Sequence, residues 1–395
     1  MKFRYLLLSL LVPALFAVGC DQDEDNEENN ENQEVVTPPN DEEEEELPAE
    51  IKNGDTILTT NAAVEKFLTD VHYPTHDYSY TSLLTWAEAN EVKVCPGKWD
   101  KPEQYTLRWK KDAGPVSVRI ATGAWSQEWT DIEDNYLIVT NFLPNASYSF
   151  EVKDASGNVL NQGKFQTTGH LHQVYFKTGV HNARDLGGWA TQDGKHVKYR
   201  MVYRGGRLDP SKLSKTGKKD LLAEGIRAQL DLRGKSDVLS QSTIGDDPNE
   251  YPFCAPVIEE GYAQMLNEDK EKTRQCMQFI MDCVDKNKPV YYHCSLGRDR
   301  TGTVSMLTLG ILGVPEGDIS QEYELTQFAP HGYATSEGEK TKMTRCIDYK
   351  GAANVIWKYV DEGKGETFRD GVEKYLIEIG ISQADIEKFR RNMLE

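Results

Sequence analysis

The sequence predicts an α/β domain over residues 170–395, built on a central, mostly parallel sheet flanked by helices, with a small all-β sandwich before it over residues 92–169. Three observations carry this. From His170 to Glu395 strand-like and helix-like segments alternate, the order that places helices on both faces of a parallel sheet. From Val92 to Thr168 short runs of alternating apolar and polar residues recur at regular spacing, with turn residues between them. Between them in diagnostic weight stands Val290–Thr303, VYYHCSLGRDRTGT, which reads as a buried strand, a loop with one glycine, and the start of an apolar helix.

Taken in order, residues 1–20 form an export signal. Lys2 and Arg4 precede the apolar run Tyr5–Val12, which Pro13 interrupts, so it is too short for a comfortable membrane span. Phe16–Cys20 resembles the cleavage box of bacterial lipoproteins, which implies that Cys20 is lipidated and anchors the chain to a bacterial membrane. Residues 21–50 are rich in Asp, Glu and Asn and read as a solvated tether. Acidic residues just after such a cysteine also resemble a surface-export signal of some Gram-negative lipoproteins. The formal net charge is −19; removing the fourteen acidic residues of Asp21–Glu46 and the two cations of the signal leaves −7 for residues 47–395. That balance argues against nucleic acid as a partner.

Residues 51–91 read as a short amphipathic helix over Asn61–Val71 and an aromatic, turn-rich segment over Tyr73–Thr81, placed either over the catalytic cleft or against the next domain. The sandwich strands are expected at Tyr105–Lys110, Val116–Thr122, Ser126–Ile132, Tyr136–Thr140, Ser147–Val152 and Gly163–Thr167. Leu143–Phe150 resembles the tyrosine corner of fibronectin type III domains, with Trp109 in the place of their early core tryptophan. Trp125 and Tyr136 are candidates for a ligand platform or for core and interface packing. Beyond Cys20 the chain has Cys95, Cys254, Cys276, Cys283, Cys294 and Cys346, without a paired spacing or a CxxC motif. All but Cys294 read as buried thiols. No metal and no cofactor is called for.

The chemistry sits in the loop. A strand, a tight loop and a helix N-terminus aim consecutive N–H groups at one spot, where a phosphate-sized anion is stabilised. Ser295, Leu296, Gly297 and Arg298 supply the cradle. Cys294 can attack phosphorus as a thiolate, its pKa lowered by the helix end and by cations. Arg300 can fork two donors onto the equatorial oxygens. His293 is placed to orient the loop and favour the thiolate, or is purely structural. Thr301 is placed to donate to the thiolate, or is an ordinary first-turn residue. Asp231, at a strand end opening on the same crevice, and Asp299, inside the loop, are candidate general acids.

The frame His293-Cys294-x5-Arg300-Thr301 resembles the signature of the cysteine-dependent protein tyrosine phosphatases, and Gly297–Gly302 resembles the bacterial tyrosine/lipid branch whose loop reads HCxxGKDRTG. Arg298 stands where that branch has lysine. Asn182–Gly188, Val202–Leu208, Gln229–Arg233, Gly313–Ile319 with Glu322-Tyr323, and Asp370–Ile381 resemble its further motifs, so the likeness covers nearly all of 170–395. It implies phosphomonoester hydrolysis through a phosphocysteine, with a phosphorylated protein or a phospholipid as substrate. It supports Asp231 as the acid, and it adds Glu259 and Glu260, in the chain position of a mobile acid loop. Arg184 is a candidate for holding loop or substrate, and Arg298 for reading a second anionic group. Two other readings stay open: a phosphate-binding protein without turnover, and a rhodanese-like sulfurtransferase.

Overall fold

In the computed structural model, which describes residues 46–75, 81–94, 97–110, 113–177, 179–330 and 347–395, the chain first lays down a three-residue strand, β1 (Thr56–Leu58), and two helices, α1 (Ala62–Asp70) and α2 (Thr81–Ala89). Cys20, the acidic tether to residue 45, residues 76–80 of the aromatic segment, Cys95 and Cys346 lie outside the described residues. Asn61 caps α1 by accepting from the Ala63 N–H at 3.0 Å, as a capping Asn does.

Six strands follow: β2 (Tyr105–Arg108), β3 (Val116–Thr122), β4 (Trp125–Ile132), β5 (Tyr136–Val139), β6 (Ser147–Asp154) and β7 (Val159–Thr168). The expected strand positions hold to within a few residues at each end. They form a sheet in the order β1-β7-β6-β3-β4 and a two-stranded sheet β2-β5, antiparallel except where β1 joins β7. That parallel edge strand comes from the segment read as helix and linker; three residues are too few to show a period. Val118, Ile120, Val152 and Phe165 point inward from alternating positions and close a core with Trp109 and Tyr148. The Tyr148 hydroxyl accepts from the Leu143 N–H at 2.9 Å, and burial pushes its pKa up to about 12. Trp125 packs at the interface with the α/β part: its indole N–H donates to the Ala223 carbonyl at 3.0 Å, and Arg200 lies 4.1 Å over its ring.

The second five-stranded sheet has β8 (Arg184–Asp185), β9 (Val202–Gly205), β10 (Ala228–Asp231), β11 (Phe253–Cys254) and β12 (Val290–His293) in the order β11-β10-β12-β9-β8. All pairings are parallel except β8 with β9. β12 is central and fully buried, as a run of apolar and aromatic residues without alternation requires. Val290 and Tyr292 face one core, Tyr291 the other. Its helices are α3 (Lys215–Ala223), α4 (Tyr262–Glu268), α5 (Lys270–Asp285), α6 (Asp299–Leu312), α7 (Glu316–Glu324), α8 (Ile347–Trp357), α9 (Phe368–Glu378) and α10 (Gln383–Met393). α6 is buried on all sides from Thr301 to Leu312 and ends on Gly313 at φ 90°, a left-handed stop.

Val64, Phe67 and Leu68 of α1 pack with Leu83 and Trp86 of α2 against Leu325 and Phe328, which follow α7. The Gln321 amide donates to the Val71 carbonyl at 2.5 Å, and the Tyr73 hydroxyl donates to the Glu324 carboxylate. The first helices therefore pack against α7 and the turn that follows it. Cys276 and Cys283 are buried as expected, whereas Cys254 is only half-buried, because it lies on the short edge strand β11. A cleft of about 580 Å3 opens between α1, the Pro144-Asn145 turn, Trp189 and Tyr199; no residue of Cys294–Arg300 lines it. Among the described residues no helix is long and apolar enough to cross a membrane, and no group of three His, Cys, Asp or Glu side chains is placed to hold a metal ion.

Candidate active site

The loop Cys294–Arg298 leaves the C-terminal end of the central strand β12 and enters α6 directly. Its shape is set from outside. The Ser295 carbonyl accepts from the Arg207 N–H at 3.0 Å. The Leu296 and Gly297 carbonyls accept from the Asn182 amide at 3.2 and 3.0 Å, and the Gly297 carbonyl also accepts from the Arg204 guanidinium. Three successive carbonyls turned outward leave the loop N–H groups aimed at its concave side. α6 starts at Arg298 without a side-chain cap, so its first-turn N–H groups and the positive dipole end face the same concavity.

Cys294 lies at the base, 2 % exposed. Its N–H donates to the Thr301 hydroxyl at 2.8 Å, which ties this cysteine to the helix start. Thr301 thus accepts from the Cys294 backbone. His293 is fully buried: the Gln229 amide meets its Nε2 at 3.0 Å, and its Nδ1 meets the Cys294 carbonyl at 3.2 Å. Burial holds its pKa below the usual value, outweighing the pull of Asp231. Its two ring nitrogens are thus tied to β10 and to the base of the loop. One Nη of Arg300 donates to the Ile258 carbonyl at 2.8 Å, leaving the rest of its five-donor fork for an anion.

Gly297 sits at φ 71°, and a Cβ there would meet the Gly205 carbonyl carbon at 2.4 Å and the Gly206 nitrogen at 2.7 Å. Both conformation and space demand glycine. Gly297→Ala is expected to lower the thermal midpoint and cut kcat/KM on p-nitrophenyl phosphate by roughly 10²-fold, since a 1 Å misplacement has that effect. Parent-like kinetics in this variant would show that the loop shape is not what matters.

Behind the loop lies a buried ionic cluster. Arg184 donates through Nε to Glu322 at 2.7 Å and to the Asn182 side chain at 2.5 Å. Arg204 donates to Glu322 at 3.0 Å and to Ser305 at 3.2 Å. Arg184, Arg204 and Glu322 are 3 %, 0 % and 1 % exposed. Burial, and then the neighbouring Arg204, bring the Arg184 pKa down to about 10. Arg184 is therefore a brace behind the loop, not a substrate contact, because Glu322 and Asn182 claim its donors on the core side. Asn182, Arg204 and Glu322 were missed as loop residues in the sequence; Arg184 and Arg204 stand in motifs that were visible, but their shared partner, Glu322, lies more than a hundred positions away.

The acid candidates separate clearly. Asp231 is fully buried, and Arg233 forks onto both its oxygens at 2.9 and 2.8 Å while the Leu239 N–H adds a third bond at 2.9 Å. Burial raises its pKa, but Arg233 and the imidazole of His293 hold it below the usual carboxylate range. Asp231 is thus an enclosed ion-pair partner of Arg233 at the strand end. Glu259 and Glu260 are exposed, and Glu259 accepts from the Lys235 N–H at 3.0 Å. Asp299 opens α6 with its side chain 31 % exposed. Arg298, 11 % exposed, grips it through Nε at 2.7 Å and Nη2 at 3.2 Å.

Compared with known proteins, residues 177–395 match the family model described as Tyrosine phosphatase family. A curated Cupriavidus necator protein named as a tyrosine-protein phosphatase is 27% identical over 180 residues, covering 38% of this chain and 62% of its own length. A tyrosine-protein phosphatase of Nostoc commune is 26% identical over 145 residues, covering 33% and 47%. The chain thus spans about half to three fifths of these curated relatives. Among solved structures, P. aeruginosa TpbA aligns over 49% of this chain and 97% of its own at 13% identity and a TM-score of 0.29. The family match runs over more than half of the chain and takes in the cysteine loop with the groups that pin it, and the chain therefore belongs to the tyrosine phosphatase family.

Proposed function

We propose that the protein is a phosphomonoester hydrolase that acts through a phosphocysteine, with phosphotyrosine in proteins as its first substrate. The observation that carries this is the loop with its carbonyls pinned outward between a cysteine at the base and an arginine on an uncapped helix start. In the first step the Cys294 thiolate attacks phosphorus, the S–P bond forms, and the bond to the leaving oxygen breaks. Loop N–H groups and Arg300 stabilise the equatorial oxygens. Asp299 gives its proton to the leaving oxygen. In the second step a water attacks the phosphocysteine, Asp299 takes a proton from it, and phosphate leaves with the thiolate restored. Asp299 is chosen over Asp231 because it is partly exposed at the loop mouth, whereas Asp231 is enclosed by Arg233. The engagement of Arg298 with Asp299 favours phosphotyrosine over a phosphoinositide with a second phosphate.

The reading extends to the rest of the chain. The Tyr148–Leu143 hydrogen bond supports a fibronectin type III-like sandwich. The Gly19-Cys20 box and acidic tether support an exported protein, lipid-anchored to a bacterial membrane.

The purified protein is expected to hydrolyse a phosphotyrosine peptide, and Asp299→Asn to lose about 10²–10³-fold in kcat there but far less on p-nitrophenyl phosphate, whose leaving group needs little protonation. Equal losses on both substrates would remove Asp299 from the role. Anion binding with no hydrolysis of either substrate would favour a binding protein.

A further inference from the structure

Asp299 is held by a side chain from outside the loop. The Tyr262 hydroxyl donates to Asp299 Oδ1 and lies 2.5 Å from the Tyr323 hydroxyl. Tyr262 is the first residue of α4 and adopts φ 54°, a left-handed conformation that is unfavourable for a bulky residue and persists only where the surroundings impose it. Its N–H donates to the Thr303 hydroxyl of α6 at 2.9 Å, and a Cβ added to Gly261 before it would come within 3.3 Å of the Asp299 Cβ and the Arg300 nitrogen. Tyr323, on α7, is 3 % exposed and stacks on Tyr349 of α8 at 4.5 Å. The backbone of one helix is thus bent against its preference, and two further helices are packed, to put one phenol on one carboxylate oxygen.

The two oxygens of Asp299 differ as a result. Oδ1 accepts from Tyr262 and from Arg298 Nε at 2.7 Å. Oδ2 accepts from Arg298 Nη2 at the longer distance of 3.2 Å. A proton is least disfavoured on the oxygen with the weaker donor set. We propose that Tyr262, steadied by Tyr323, is a positioning residue that directs the catalytic proton of Asp299 onto Oδ2 and turns that oxygen toward the leaving group. This rests on Asp299 being the general acid.

Among the described residues, the charged and titratable groups around Asp299 are Arg298 and Arg300 from its own segment, Tyr262 from α4, and Tyr323 behind it on α7. Burial raises its pKa, while Arg298, Tyr262 and Arg300 hold it below the usual carboxylate range. Removing the phenol takes away one donor to the carboxylate, so the pKa rises and the acid stays protonated to higher pH.

Tyr262→Phe, Tyr323→Phe and Asp299→Asn test this in the full chain, each checked for a parent-like melting curve and vanadate binding. Tyr262→Phe is expected to lose roughly tenfold in kcat on a phosphotyrosine peptide, a part of the 10²–10⁴ that acid catalysis supplies, to lose less on p-nitrophenyl phosphate, and to shift the basic limb of the kcat profile upward. Tyr323→Phe is expected to move both readouts in the same direction by less, and it replaces Tyr262→Phe should that variant fail to fold. If Asp299→Asn shows the leaving-group dependence and the folded tyrosine variants keep the parent's dependence and pH profile, the inference is overturned while Asp299 stays the acid. If Asp299→Asn shows no such dependence, both readings fail.

Discussion

Cys294→Ser is expected to abolish turnover of p-nitrophenyl phosphate, with a loss on the order of 10⁴-fold or more, the scale on which removal of a covalent nucleophile acts. Binding of inorganic phosphate, followed by calorimetry, is expected to survive. The physical reason is a division of labour visible in the loop. Anion binding is expected to come from N–H groups whose carbonyls are fixed by Arg207, Asn182 and Arg204, and from Arg300; none of these depends on the sulfur. Serine is close in volume and leaves the Cys294 N–H bond to Thr301 in place. Retained turnover would sever the cysteine from the chemistry. Loss of phosphate binding together with activity would instead mean that the substitution had disturbed the cradle.

Glu322→Ala is expected to have the largest effect on stability. It leaves two guanidiniums, Arg184 and Arg204, buried without their counter-charge. Breaking a buried ion pair from one side costs about 3–5 kcal/mol, which for a unit of this size is a fall of roughly 6–20 °C in the melting midpoint. Activity is expected to fall with it, because Arg204 also holds the Gly297 carbonyl and Arg184 holds Asn182. Glu322→Gln keeps the shape and some hydrogen bonds, so its loss is expected to be smaller but in the same direction. A melting midpoint within a degree or two of the parent would show that the cluster is not what braces the loop.

The comparison of sequence with structure turns on range. Cys294, Arg300, the strand before them and the helix after them were legible because loop chemistry and its anion site are written within fourteen consecutive residues. The sandwich strands were legible because Val118, Ile120 and their neighbours alternate with a period of two. Tyr148 was legible because its partner, Leu143, is five residues away. Glu322 was not, because Arg184 and Arg204 reach it across 138 and 118 residues. Tyr262 was not, because a tyrosine 37 positions from Asp299 carries no local mark of its contact. Asp231 was a different case: residues two apart on a strand share a face, so Arg233 beside it was a readable sign of a closed ion pair that the strand-end position overshadowed. The parallel joining of β1 to β7 depends on three residues meeting a strand more than a hundred positions later, which no local pattern encodes.

The account rests on covalent chemistry at one sulfur. The most direct measurement is rapid acid quenching during turnover of a phosphotyrosine peptide, followed by peptide mapping by mass spectrometry. A phosphate adduct on the Cys294 peptide during steady state, enriched in Asp299→Asn if hydrolysis of the intermediate is slowed and absent from Cys294→Ser, is the predicted result. Undiminished turnover with no adduct on Cys294 at any quench time, or an adduct on another residue, would contradict it.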